Sequence, residues 1–171
     1  MNGLRNIPDL EIDHNYEILR RVWFPIVLRD AANFHVTMLF SACHYASLAA
    51  SPTTLPDPLI LKQKAIAAIN EGIGDRSRSS TDAFIGAVAK MAFYESMFGD
   101  LEAYNVHMKG LKRMIEIRGG LQALGLNGTL ADMCLWTDER SWRLNNTKRH
   151  LLEDTRKESP KVKVEEVVRP V

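Results

Sequence analysis

Between Ala31 and Ala50 the chain places apolar residues on nearly every face of a helix. A helix without a polar side cannot lie on water, so other helices are expected to surround it. Ala31, Ala32, Ala42, Ala46, Ala49 and Ala50 would let those neighbours approach closely. The segment is therefore read as the central helix of an all-α fold. It is not read as a membrane span, because Asp30, Asn33, His35 and His44 interrupt the apolar region from 26 to 50. No membrane partner is expected.

The totals narrow the function classes. With 171 residues the default is one domain, long enough to bury a real core. Residues 1–152 read as a single helical domain and 153–171 as a flexible charged tail without aromatics. The formal net charge is +1, so no overall field draws the chain to nucleic acid or membrane. Cys43 and Cys134 lie far apart, form no CxxC, and read as thiols in a reducing compartment. No apolar leader follows Met1, so no secretory signal is expected.

No strand pattern emerges, and about five to six helices do. Residues 16 to 24 suit a short helix or an extended approach, with Pro25 either stopping it or opening the next turn. "SPTTLPDP" is a break, after which Asp57 caps a helix that has Pro58 first and runs to Gly72 or Gly74. "GDRSRSS" is a polar loop, and Ser80 or Thr81 caps the next helix. That helix carries Phe84, Val88, Met91 and Phe98 on one stripe, with Glu95 interrupting. The short link at Gly99 makes it the first arm of an antiparallel hairpin. The second arm starts near Asp100, with Leu101, Tyr104, Met108, Leu111 and Ile115 at helical spacing. A last helix covers "TLADMCLWTDERSWRL".

The second arm ends in "KGLKRMIEIRGGLQALG". A phosphate loop sets its glycines before a helix, where free N–H groups face the anion. Here Gly119 and Gly120 follow the helix and meet its free carbonyls, so a left-handed Gly119 acting as a C-cap is the favoured reading. Two polar residues fall on the apolar side of this arm, His107 and Arg118. Across the hairpin Arg118 stands level with Asp82, which predicts an ion pair. Glu95 and His107 form a second candidate pair. Structural roles are favoured for all four residues.

No HExxH, GxSxG, P-loop or GxGxxG occurs, so no catalytic, metal or cofactor residues are assigned and the chain is not expected to be an enzyme. His35, His44 and His107 read as core or rim histidines, and Trp136 and Trp142 as packing residues. "RSRSS" suits a solvated loop better than a kinase target or an anion contact. No basic stripe interleaved with aromatics is present.

Two stretches are similar to a known family. "WFPIVLRDAANFHVTMLFSACHY" (23–45) resembles the opening of the fungal-specific transcription factor domain, the helical regulatory region downstream of the zinc-cluster module in fungal regulators. Residues 82–138 resemble a later part, carried by His107, Gly110–Leu111, Met114–Ile115, Arg118–Gly119–Gly120, Leu124–Gly125, and Trp136 with Asp138. The resemblance implies an all-α fold, a nuclear location and a role in transcriptional regulation through effectors or partners. The zinc cluster of that family needs six close cysteines and this chain has two distant ones, so no direct DNA binding is expected. The family's helical region commonly continues past the tryptophan–aspartate element, which suggests a truncated or stand-alone relative, with a truncated, non-functional relative as an alternative reading.

Such a relative is expected to leave apolar surface uncovered, and so to form a homodimer or bind a helical protein partner. The alternative is a small-molecule sensor, with an effector pocket between the 31–50 helix and the hairpin. Its candidate lining is Phe34, Met38, Tyr45, Met91, Tyr104 and Met108.

Overall fold

A computed structural model describes residues 19–48 and 56–151. Every regular element among them is helical. A π-helical turn, Leu19–Trp23, runs into α1, Phe24–Arg29, with Pro25 in its first turn where a missing N–H costs nothing. The longer helices are α2 (Ala31–Leu48), α3 (Pro58–Gly74), α4 (Asp82–Phe98), α5 (Leu101–Arg118) and α6 (Thr129–Asn145). The expected charged tail at 153–171 lies outside the described residues.

Local chemistry sets the helix ends. Asp30 accepts the Asn33 N–H at 2.8 Å to start α2. Asp57 accepts the Leu59 N–H at 2.8 Å, one residue ahead of Pro58, to start α3. Thr81, rather than Ser80, caps α4. Asp100 accepts from Glu102 and Ala103 at the head of α5. At the far end of α5, Gly119 takes φ 98° and ψ 22°, where a side chain would be strained. The Gly119 N–H donates to Glu116 and the Gly120 N–H to Ile115, at 3.0 and 2.9 Å. These two bonds are the paired closure of a helix C-terminus.

The central helix is α4, which corrects the reading of 31–50. Eleven of its 17 residues are buried, against five of 18 in α2. It packs on α2, α5 and α6 and touches α3, which lies mainly on α2. Small residues make this possible. A Cβ at Gly86 would come within 2.1 Å of the Trp23 ring, so the indole lies directly on the α4 backbone. Phe84, Ile85, Met91, Tyr104, Met108, Leu111 and Leu130 are fully buried in the core, with the Phe84 ring lying on Gly72 of α3.

Candidate functional site

Three polar knots hold the bundle; the first, half-buried, is the ion pair expected across the hairpin, and the other two are built on buried acids. The first ties the ends of the hairpin. Arg118 Nη2 lies 3.0 Å from Asp82 Oδ1, and the same guanidinium donates to the carbonyls of Ser80 and Ala123. The Gly125 N–H donates to Asp82 at 3.4 Å. A Cβ on Gly125 would sit 2.0 Å from Asp82 Oδ2. The arginine–glycine–glycine and leucine–glycine elements of the sequence thus belong to one fastening.

The second knot sits at the hairpin turn. Glu95 is 2 % exposed, and Lys62 of α3 bridges its two oxygens at 2.8 and 2.9 Å. Its Oε2 also accepts the Asp100 N–H at 3.1 Å. The expected Glu95–His107 pair is therefore replaced by Glu95–Lys62. Lys62 comes from another helix, so no hairpin geometry could nominate it. Burial pushes the His107 pKa down, against the pull of the Glu95 charge.

The third knot closes the C-terminal side. Asp138 is fully buried and accepts the N–H groups of His150 and Leu151, at 2.9 to 3.1 Å. His150 reaches Asn105 Oδ1 at 2.9 Å and sits edge-on to Tyr104. Burial, and then the Asp138 charge, raise the pKa of the Tyr104 phenol.

A fourth polar group, half-buried, has no acid beside it among the described residues. Lys90 reaches Thr37 Oγ1 at 2.5 Å and lies 5.0 Å from the centre of the Trp23 ring. The Thr37 hydroxyl donates in turn to the Asn33 carbonyl at 2.7 Å. Burial pushes the Lys90 pKa down to about 7, while the indole face beneath it favours the cation.

The six proposed pocket residues do not gather. Met91, Tyr104 and Met108 are 0 % exposed and belong to the core. Phe34, Met38 and Tyr45 are 39, 40 and 56 % exposed and point out of α2. With Leu48, also exposed, they make a row at 34, 38, 45 and 48 on the side of α2 away from its buried residues. Helix α3 shows a parallel row in Leu59, Ile66 and Ile73. The outward apolar face of α2 is the candidate site. The sequence signal was present, since a helix apolar all round must either be enclosed or leave a face bare. Among the described residues, no group of three or more histidines, cysteines, aspartates or glutamates is placed to hold a metal. No described helix is long and apolar enough to cross a membrane.

The profile of the fungal specific transcription factor domain matches residues 12–154, most of the chain. This chain belongs to that family. The match takes in all six helices and all three knots, and it associates the domain with transcriptional regulation. No curated protein and no solved structure gives a significant match. Within the family domain, the Arg118–Gly119–Gly120 element serves as a fastening and a helix cap, and its polar groups already have partners.

Proposed function

We propose that this fungal transcription factor domain is a regulatory interaction module acting in the nucleus. It docks an apolar helix of a protein partner on the outward face of α2, neither reading DNA itself nor catalysing a reaction. One observation carries the reading. From Ala31 to Leu48 helix α2 has no Asp, Glu, Lys or Arg, yet Phe34, Met38, Tyr45 and Leu48 stand in solvent. Contiguous exposed apolar rows of this kind mark interaction sites. Their spacing of four, seven and three keeps them on one stripe, the kind of seam one helix offers another. The paired acids support a binding role, because Glu95, Asp82 and Asp138 are engaged by Lys62, Arg118 and backbone amides.

The test is a reporter assay in which the chain is tethered to a heterologous DNA-binding module. The expected outcome is a severalfold change in output that the Phe34→Glu/Tyr45→Glu variant abolishes while keeping its helical circular dichroism. An unchanged output from that variant would remove α2 from the mechanism.

A further inference from the structure

The basic residues of α5 and of the segment after α6 converge on one imidazole. His150 Nε2 meets Asn105 Oδ1 at 2.9 Å, which seats the ring on the Asn105 stripe of α5. Lys109 and Lys112 stand four and seven residues further along that same stripe. Lys148 comes from the segment itself, two residues before His150. The electrostatics report the same gathering. Burial lowers the His150 pKa first; Asp138 pulls it up, and Lys109, Lys148 and Lys112 push it down again.

These lysines are available to a ligand. All three are exposed, and among the described residues no acid forms an ion pair with any of them. The acids around them are engaged or stand apart. Asp138 is fully buried and holds the amides of His150 and Leu151. Glu116, one turn beyond Lys112, is paired with Arg113 at 3.4 Å. Glu102 lies before Asn105, away from the lysines along the helix. Like charges gathered on one helix face repel one another, and an anion seated among them relieves that repulsion. The ring adds to the site. Asn105 Oδ1 can only accept, so Nε2 is the donor and Nδ1 of the neutral ring is left as an acceptor. A proton on Nδ1 turns it into a further donor, and a nearby anion favours that proton.

The anion that suits this set is a phosphate monoester. It carries close to two negative charges at neutral pH and three terminal oxygens, a match for three ammonium groups. A carboxylate brings one charge, and its planar fork is matched by arginine better than by lysine. The exposed side chains offer no walls to enclose a free metabolite, which needs most of its surface buried. The phosphate therefore arrives on a larger body.

We infer that Lys109, Lys112, Lys148 and His150 form a cradle for a phosphorylated side chain of a protein partner, at a contact that shares no residue with the α2 face.

The probe is a short glycine-flanked phosphoserine peptide, titrated into the full chain and followed by the ring resonances of His150. The titration runs to roughly 10 mM, enough to fill a millimolar site. Saturable binding is expected, with a higher His150 pKa in the complex than in the free chain. Lys109→Gln with Lys148→Gln is expected to weaken binding about tenfold or more, since charge-assisted bonds are lost. Lys109→Arg with Lys148→Arg keeps both charges and should keep most of the affinity. Lys109 and Lys148 are exposed, so the fold should survive each pair, which circular dichroism checks. The same peptide without phosphate should not bind. Absence of saturable binding, equal binding of the unphosphorylated peptide, or an affinity indifferent to the glutamine pair would each overturn the inference. Tighter binding of inorganic phosphate than of the peptide would reject a protein partner as the source. None of these outcomes bears on the reporter test of α2, because the two sites have no residue in common.

Discussion

Arg118 meets one carboxylate and two carbonyls, so its loss leaves three acceptors short of a donor. Both members of the Asp82–Arg118 pair are between a quarter and a third exposed, so the Coulombic part is modest. Replacing Arg118 by Met is expected to cost about 2 kcal/mol in denaturant unfolding, most of it from the unpaired acceptors. A double-mutant cycle with Asp82→Asn should return a coupling of about 1 kcal/mol. A coupling near zero would mean that the carbonyl bonds alone hold the hairpin ends. Lys90 behaves differently because no acid among the described residues faces it. Its pKa falls from 10.5 in the unfolded chain to about 7 in the fold. Between those values the unfolded chain holds a proton that the folded one lacks, so stability rises with pH across that window. Below about 7 both states are charged and the full burial penalty applies. Lys90→Met is therefore expected to raise Tm most at acid pH. Its advantage over wild type should shrink as pH climbs from 7 towards 10.5. A pH-independent difference would place the Lys90 ammonium in water.

At the scale of elements, the α4–α5 hairpin turns on Gly99, whose absent side chain leaves room for the Glu95 carboxylate. A Cβ there would come within 1.8 Å of Glu95 Oε2. Gly99→Ala is expected to eject that carboxylate, strand Lys62 and the Asp100 N–H, and cost about 2 kcal/mol. In a Glu95→Ala background the same change should cost far less, since the clash is gone. Equal costs in the two backgrounds would locate the damage in the backbone. The segment after α6 is held in a comparable way, by Asp138. An asparagine there keeps one acceptor oxygen but turns a donor towards backbone N–H groups. Asp138→Asn should therefore cost about 1–3 kcal/mol and speed hydrogen exchange at the amides of His150 and Leu151. Unchanged exchange at those two amides would assign the segment to other contacts, such as Arg149 over the Trp142 ring.

Over the whole molecule, α4 is enclosed by its neighbours while the outer face of α2 is left exposed by the described residues. This contrast separates two sets of residues that look alike in the sequence. Met91→Ala and Met108→Ala should each cost about 2–5 kcal/mol, as losses from a closed core do. Met38→Gln and Tyr45→Gln should change the stability of the monomer by less than about 0.5 kcal/mol. Unfolding of the four variants under dilute, monomeric conditions decides the matter. A large loss for Tyr45→Gln would show that α2 buries that face within the single chain.

The sequence by itself determined the helices, their caps and the hairpin, because those depend on neighbours a few residues away. Asp57 before Pro58, Asp100 after Gly99 and Gly119 after Arg118 each signal locally what they do. The Asp82–Arg118 register followed too, since a short link fixes the height of one arm against the other. Only the tertiary structure decided which apolar helix lies in the middle. The 31–48 and 82–98 segments are similarly apolar, and enclosure depends on how many other helices reach each one. The same holds for Lys62 at Glu95 and for the amides of residues 150 and 151 at Asp138. A buried charge takes whichever donor the fold brings within about 3 Å, and chain order does not name that donor.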